Sequence, residues 1–396
     1  MQNPIYICSS GWSIYLSQKK PCPWKKITKN PLTAIFIAGF VVGEVFKLLV
    51  KDYITVDFKE EFIYDFITHG KDNQPVIYPQ LPPYFNLNLT LIGCGAIGQA
   101  IVFALNQFEL RGRLSFIDPD RIDESNKQRY LLGFNENIGI NKARFLSKVL
   151  INNKNNLLTT REFCHPYEIA ITIQESLFDM KDVIVSVDNK RTRLNVQAAL
   201  PKYIWNTWTD TAQGTLRYGI GKHDFKNEFE CLACSYYPEG SIPSQIELNA
   251  KILGMNQQEL IHRMAQNNQI TEGDLKYFFE NFNLNQMQLV KIKKLIGKPF
   301  SDIFHGDCGV FSVKISEKHE ITPATHVPVL AGTYAVIQYI LDHLEISNGK
   351  RIESVAEFDA FSYPSEDCLI KKRRNQNCIC NDPIYQKVFK KKWETL

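Results

Sequence analysis

Residues 89–106, LTLIGCGAIGQAIVFALN, place three glycines between two apolar runs. The spacing Gly93-x-Gly95-x-x-Gly98 predicts a tight turn between a strand and a helix, with backbone N–H groups at the helix start that can bind a phosphate. A second apolar run, LSFID, ends at Asp118 about 20 residues after Gly98, the offset at which a carboxylate binds ribose hydroxyls. These residues predict a nucleotide-binding unit, which would serve NAD, FAD or ATP equally well.

The composition is that of a soluble globular protein. The chain has 396 residues, of which 44% are hydrophobic and 22% charged, enough for two or three domains. Its formal net charge of +4 is spread along the chain and indicates no nucleic-acid partner. The basic runs at 371–374 and 390–392 are interpreted as solvated faces. Ten cysteines without a recognisable secretory signal indicate reduced thiols and a cytoplasmic location.

Residues 31–50 are apolar enough to suggest a membrane span. Glu44 and Lys47 interrupt the run, and its uninterrupted part is short for a bilayer. We therefore predict a buried helix and no membrane partner. A second apolar run at 323–341 also contains an Ala-Gly pair, which is either a trace of duplication or a shared feature of two buried helices.

Strand-like and helix-like patterns alternate from residue 87 to about 235. The runs LTLIG, LSFID, DVIVSVD and YIWNTW are separated by amphipathic segments, which predicts a doubly wound α/β fold with a Rossmann-like sheet. Residues 240–300 are polar and contain helix-capping patterns such as Asn256-x-x-Glu259. We divide the chain into an N-terminal accessory unit (1–85), a nucleotide-binding domain (86–239), a helical insertion (240–304) and a segment that completes the domain (305–396).

The residues that follow Asp118 favour ATP over a dinucleotide. Arg129 offers a bidentate fork and Lys142 a mobile charge, which a triphosphate requires and a dehydrogenase does not. Asp188, at the end of a predicted strand and next to Asn189, is placed to hold Mg²⁺. The other acidic residues of this stretch are interpreted as solvated or helix-capping; they are Asp120, Asp123 and Glu124.

The motifs G-x-G-x-x-G, D-x-D, S-N-x-Q-R, G-x-x-K and D-N together resemble the adenylation domain shared by ThiF, MoeB and the ubiquitin-activating enzymes. The resemblance covers about residues 87–235 and 305–381. It implies a Rossmann-like fold that adenylates the C-terminal carboxylate of a small β-grasp protein with Mg·ATP. Carried to this chain, the resemblance implies that Asp118 binds the ribose and that Asp188 is the metal-associated residue. It implies that Asn126, Arg129 and Lys142 contact ATP.

Four cysteines have the spacing of a split structural zinc site. Cys231-x-x-Cys234 forms the first pair and Cys378-x-Cys380 the second. The resemblance implies two Cys-x-x-Cys pairs, so the second pair is one residue short. Either Cys378 and Cys380 both bind zinc on a changed loop, or Cys368 replaces one of them, with unligated thiols as the alternative. A zinc ion here would pin the C-terminal tail to the core.

Cys308, in HGDCGVF, precedes the apolar run 323–341. The sequence here resembles relatives that keep a nucleophilic cysteine at this place. A thiolate at Cys308 could attack an acyl-adenylate and form a thioester, while His305 lowers the pKa of the thiol or relays a proton. The alternative is a buried core cysteine.

The resemblance thus predicts an activating enzyme for a ubiquitin-like protein that forms a thioester and transfers it to a conjugating enzyme, as in bacterial systems linked to antiviral defence. The alternatives are activation of a sulfur carrier and adenylation of a peptide carboxylate without a thioester. A binding module without activity and an NAD-dependent oxidoreductase are disfavoured.

The oligomeric state is left as monomer or homodimer. Homodimeric relatives supply an arginine to the ATP phosphates from the N-terminal segment of the partner, but no Arg precedes Arg111 in this chain.

Overall fold

The protein is described by a computed structural model. It describes residues 4–52, 55–70, 74–153, 155–210, 216–236, 250, 253–266, 268–281, 293, 296–300, 310–315, 318–344, 352 and 354–394.

The described residues form three sheets. The strands are β1 (Tyr6–Ser10), β2 (Ser13–Ser17), β3 (Glu61–Asp65), β4 (Tyr84–Ile92), β5 (Glu109–Ile117), β6 (Leu157–Phe163), β7 (Asp182–Val185), β8 (Tyr203–Asp210), β9 (Arg217–Asp224), β10 (Val310–Ile315), β11 (Lys318–Pro323), β12 (Val355–Asp359) and β13 (Leu369–Ile370). The largest sheet has eight strands in the order β13-β12-β9-β8-β7-β4-β5-β6. It confirms the predicted doubly wound α/β fold.

Five neighbouring strands of this sheet, from β8 to β6, run parallel. Among these five strands, β4 comes first in the sequence and lies in the middle. The chain continues to β5 and β6 on one side of β4 and then returns to β7 and β8 on the other side. Such a reversal leaves a crevice at the carboxyl ends of the strands on either side of it, where open α/β sheets bind ligands. The glycine-rich turn follows β4 and therefore lies at this switch point.

The described residues also form helices. They are α1 (Pro31–Val50), α2 (Ala96–Leu105), α3 (Lys142–Ile151), α4 (Tyr167–Ile173), α5 (Lys190–Ala198), α6 (Leu232–Tyr236), α7 (Gln257–Ala265), α8 (Lys276–Asn281), α9 (His326–His343) and α10 (Pro383–Trp393). Helix α9 packs against both α1 and α2. The small residues of the two Ala-Gly pairs allow this approach, because a Cβ atom on Gly39 would lie 3.4 Å from Leu330 and one on Gly332 would lie 2.7 Å from Cβ of Ala100.

Helix α1 anchors the N-terminal residues to this core. Asn30 caps it by accepting a hydrogen bond from the Leu32 N–H at 3.0 Å. By length and composition the helix could cross a membrane, and 56% of that segment is buried inside the protein. Lys47 and Glu44 form a buried ion pair on it, with Nζ and Oε1 2.6 Å apart. The Tyr363 hydroxyl donates to the second oxygen of Glu44 at 2.7 Å, so the two charges that interrupt the apolar run join α1 to the C-terminal part of the chain.

The chain divides into two compact units, residues 1–236 with 308–396, and residues 237–307. In the second unit, Asn256 caps α7 by accepting a hydrogen bond from the Glu259 N–H at 2.8 Å. A small core of its own includes Leu253, Leu260 and Phe300. Helices α7 and α8 lie within the segment 240–304, whose role as an insertion stays a prediction.

Several elements of the sheet region were not predicted from the sequence, and they include β6, α4 and β9. Strand β6, LLTTREF, lies at the sheet edge, and its residues alternate between exposed and half-buried without a fully buried position. An edge strand of this kind carries no apolar run, so its pattern resembles a polar loop.

Candidate functional site

The glycine-rich turn after β4 has the geometry that its spacing predicts. Gly93 has φ +96°, and a Cβ atom there would lie 2.7 Å from the carbonyl oxygen of Ser186. A Cβ atom on Gly98 would lie 2.4 Å from the carbonyl oxygen of Gly93. Gly95 caps α2 without any side-chain hydrogen bond. The first N–H groups of α2 therefore have no side-chain cap and can bind an anion.

Asp118 ties this turn to the end of β5. One carboxylate oxygen accepts a hydrogen bond from the Cys94 N–H at 2.6 Å, and the other accepts one from the Asp120 N–H at 2.9 Å. The side chain is buried, and this burial, together with the charge of Asp120, raises the pKa of Asp118 to about 6 against the opposing effect of Lys142. Each oxygen keeps a lone pair for a further donor, so the carboxylate can accept ribose hydroxyls.

Lys142 brings a buried positive charge to the same place. It begins α3, and its Nζ lies 2.9 Å from Oδ2 of Asp120. Burial opposes its charge, but the carboxylates of Asp118 and Asp120 outweigh that effect and raise the pKa of Lys142 well above its ordinary value. Asn141 fixes the start of α3, because its side-chain amide donates to the carbonyl oxygens of Asp118 and Asp120 at 3.0 and 2.9 Å. Lys142 is therefore a permanent cation beside the predicted ribose ligand.

Asn126 and Arg129 occupy the turn between β5 and α3. Asn126 is buried, and its side-chain oxygen accepts a hydrogen bond from the Asp123 N–H at 3.0 Å in a capping box. Arg129 is half-buried and donates to the carbonyl oxygen of Ser125 at 3.1 Å. Asn126 thus shapes the turn, while the Arg129 guanidinium keeps donors for another ligand.

Asp188 follows β7, on the other side of the glycine-rich turn. The N–H of Ser186 donates to the carbonyl of Ile92 at 2.8 Å, and its hydroxyl donates to the carbonyl of Gly93 at 2.9 Å. The Asp188 side chain is exposed and has no hydrogen-bond or ion-pair partner among the described residues. Asn189 uses its side-chain oxygen to cap α5. Asp188 therefore offers a free, hard oxygen ligand of the kind that Mg²⁺ binds together with phosphate oxygens.

The four cysteines Cys231, Cys234, Cys378 and Cys380 form one cluster. Their sulfurs all lie within 4.8 Å of one another, with separations of 3.9 Å for Cys231 to Cys234, 3.6 Å for Cys231 to Cys378 and 3.4 Å for Cys234 to Cys380. A tetrahedral ion with Zn–S bonds of about 2.3 Å holds its sulfurs about 3.8 Å apart. The donor set therefore fits zinc, even with the single-residue spacing of the second pair.

The surroundings of the cluster join the C-terminal tail to the sheet. The Arg374 guanidinium donates to the carbonyl oxygens of Cys380 and Phe225 at 2.9 and 2.5 Å. Gln386, on α10, donates to the same Cys380 carbonyl at 2.6 Å. Cys368 is not a member of the cluster; its sulfur lies 4.0 Å from the Ser365 hydroxyl. The geometry favours the alternative in which Cys378 and Cys380 complete the set.

Cys308 and His305 lie outside the described residues, so their assigned chemistry stays a prediction.

Two residues of the site were missed or misinterpreted in the sequence analysis. Asp120, interpreted as solvated or capping, is the ion partner of Lys142. Arg193 was not singled out, yet its buried guanidinium binds the carbonyl of Val187, next to Asp188. The D-x-D pattern could have identified Asp120 as the partner of Lys142, once Lys142 was assigned to the same site. No local pattern distinguishes Arg193 from Arg191.

One protein-family model and one relative match most of this chain. The model of the ThiF family matches residues 84–380. The uncharacterised protein y4jF of Sinorhizobium fredii (strain NBRC 101917 / NGR234) is 25% identical over 412 residues, which cover 98% of this chain and 74% of that protein.

Two solved structures similar to this chain are of MccB from E. coli. The complex of MccB with MccA-N7isoAsn matches with a TM-score of 0.42 and 13% identity, over 73% of this chain and 65% of that chain. MccB with ATP matches with a TM-score of 0.31 and 16% identity, over 59% of this chain and 62% of that chain. The chain thus spans less than two thirds of these MccB chains.

We expect the cysteine cluster to bind one zinc ion per chain, measured by elemental analysis of the purified protein. The variants Cys378→Ser and Cys380→Ser should each lose most of this zinc, because removal of one thiolate opens the tetrahedral site. Cys368→Ser is the matched control and should keep it. Full zinc in Cys380→Ser together with a loss in Cys368→Ser would show that the geometry of the cluster is not that of the metal site.

Proposed function

Because the chain belongs to the ThiF family, we propose that it uses Mg·ATP to adenylate the carboxylate of a protein or peptide substrate. The observation that carries the proposal is the meeting of three features at the switch point of the sheet. The start of α2 has no side-chain cap, Asp118 is a buried carboxylate hydrogen-bonded to the turn before it, and Lys142 is a buried cation beside Asp118. A dinucleotide does not require that cation, whereas a triphosphate does.

Each residue has a physical role in this proposal. Asp118 accepts the ribose hydroxyls, and the N–H groups of α2 face the phosphates. Lys142 and Arg129 offset the negative charge that accumulates when a carboxylate approaches a phosphate. Lys142, which is paired with Asp120, would exchange this partner for a phosphate of the nucleotide. When bound at Asp188, Mg²⁺ would supply further charge neutralisation.

The proposed reaction is a displacement at the α-phosphorus of ATP. A carboxylate oxygen of the substrate forms a bond to this phosphorus, and the bond from the phosphorus to the oxygen that bridges to the β-phosphate breaks. Pyrophosphate leaves with that oxygen, and the product is an acyl-adenylate. No proton moves, so the residues position the reactants and stabilise charge, and none acts as an acid or base.

The finer proposal is that the substrate is a ubiquitin-like protein and that Cys308 receives it. The Cys308 thiolate would attack the acyl carbonyl, form a thioester and release AMP, after which a conjugating enzyme accepts the acyl group. The position of Cys308 in the sequence and the motifs shared with ubiquitin-activating enzymes support this step.

Reduced thiols suit a cytoplasmic location, and the resemblance favours a role in antiviral defence. Activation of a sulfur carrier, or of a peptide carboxylate without a thioester, remains the alternative.

We expect exchange of labelled pyrophosphate into ATP when the protein meets a purified β-grasp protein that ends in a free carboxylate. Lys142→Ala should reduce the exchange rate at least about 100-fold, because it removes a cation from the charged transition state. Lys148→Ala is the matched control, since Lys148 is exposed on the same helix, and should exchange at the parent rate. Exchange that survives Lys142→Ala unchanged would contradict the proposed site.

The same reaction on a non-reducing gel separates the finer proposals. A reducible adduct that Cys308→Ala abolishes and Cys368→Ala keeps would support the thioester step. Exchange without an adduct would contradict that step and assign the protein to carboxylate activation. A short peptide substituted for the β-grasp protein tests the peptide alternative in the same assay.

We expect the affinity for adenosine to fall below about pH 6. Burial raises the pKa of Asp118 to about 6, so acid protonates this carboxylate and removes acceptors for the ribose hydroxyls. The decrease should approach tenfold per pH unit, measured by calorimetry, because one proton competes with binding. Adenosine has no phosphate, so its own charge stays constant.

Two variants serve as controls for this pH dependence. Asp118→Asn should bind adenosine weakly and without the pH dependence. His343→Gln removes a titrating group that is paired with Asp182 at the start of β7, and this variant should retain the pH dependence. The same pH dependence in Asp118→Asn would contradict the assignment.

A further inference from the structure

Arg193 is a buried guanidinium directed at the loop that carries Asp188. It lies on α5, and its Nε donates to the carbonyl oxygen of Val187 at 2.9 Å. A second nitrogen of the same guanidinium also binds this carbonyl. The third nitrogen donates to the side-chain oxygen of Asn206 on β8 at 2.9 Å and to the hydroxyl of Tyr236. The guanidinium thus joins the backbone beside Asp188 to the next strand and to α6.

These contacts hold the backbone before Asp188 while its carboxylate stays free. Ser186 is bound to the glycine-rich turn through the carbonyls of Ile92 and Gly93. Val187 is bound by Arg193, and Asn189 is committed to the cap of α5. The residues on both sides of Asp188 are therefore fixed. Such anchoring orients a metal-binding carboxylate without occupying it.

Tyr236 closes the other side of the guanidinium. Its ring lies 5.0 Å from the guanidinium carbon of Arg193, and its hydroxyl also receives a 3.4 Å hydrogen bond from Asn206. A buried arginine needs such partners, because its five donors lose water on burial. Tyr236 ends α6, the helix that contains Cys234 and follows Cys231. Gln197 of α5 accepts a hydrogen bond from the Leu232 N–H at 2.9 Å, which holds the start of α6 against α5.

We propose that Arg193 and Tyr236 are positioning residues that hold Asp188 in place for the Mg²⁺ of bound ATP. The inference rests on the proposed function and adds two residues that the motifs do not assign. It also connects the cysteine cluster to the nucleotide site through α6, since that helix follows Cys231, contains Cys234 and ends at Tyr236.

The test uses the full chain and compares Tyr236→Phe with Tyr167→Phe. Tyr236→Phe removes the hydroxyl and keeps the ring against the guanidinium. Tyr167 is a matched control, because its hydroxyl lies in the same apolar cluster as Tyr236 but has no hydrogen-bond partner among the described residues. ATP binding is measured by calorimetry at a series of MgCl₂ concentrations and in EDTA. Hydrogen exchange of a peptide covering residues 186–189 and the melting temperature are measured on the same samples.

Tyr236→Phe should raise the MgCl₂ concentration at half-maximal effect about tenfold, the size of change that loss of a supporting hydrogen bond causes at metal sites. Its affinity for ATP in EDTA should equal that of the parent, and exchange at 186–189 should become faster. Tyr167→Phe should match the parent in all of these measurements.

Three results would overturn the proposal. An unchanged MgCl₂ midpoint in Tyr236→Phe with a lower melting temperature would assign Tyr236 to folding. Unchanged exchange at 186–189 would show that the hydroxyl does not hold the loop. A parent chain whose ATP binding does not respond to MgCl₂ would contradict the proposed function itself, and with it the role of Asp188, whereas a failure confined to Tyr236→Phe leaves the proposed function intact.

Discussion

The hydrogen bond from the Cys94 N–H to the carboxylate of Asp118, 2.6 Å long, joins the ends of β4 and β5 beside the switch point between β4 and β7. The turn can make it because Gly93 adopts a positive φ that brings the backbone back over Ser186. Once Asp118 is held there, it is buried, and its charge requires the cation that Lys142 supplies. The candidate nucleotide site therefore follows from one backbone contact and the electrostatics that it imposes.

Two carboxylates share one lysine at this site, and this arrangement fits a role in binding phosphate. Asp118 is committed to two backbone N–H groups, while Asp120 is the direct ion partner of Lys142. An incoming phosphate can replace Asp120 as the partner of Lys142 without removing any contact of Asp118. In the proposed binding mode, Arg129 and Asp188 contact the rest of the triphosphate and its metal ion. In that mode most contacts of the proposed site exist before ATP binds, which reduces the ordering cost of binding.

Local patterns predicted the parts of the protein that depend on short-range physics. The glycine spacing, the buried strands and the Asn256 cap each follow from a few neighbouring residues. Strand β6 was missed because an exposed edge strand has no apolar period. Arg193 and Tyr236 were missed because their contact spans 43 positions along the chain. The cluster of four cysteines could be proposed from spacing, but the choice of Cys380 over Cys368 depends on the path of the C-terminal tail, which no local pattern encodes.

The most direct test of the central claim is a crystal structure of the full chain with MgCl₂ and a non-hydrolysable ATP analogue. The account predicts ribose hydroxyls on Asp118, phosphates at the start of α2 with Lys142 turned from Asp120 towards them, and the metal ion on Asp188. A nucleotide bound elsewhere, or a bound analogue that leaves Lys142 paired with Asp120 and Asp188 without metal, would contradict it.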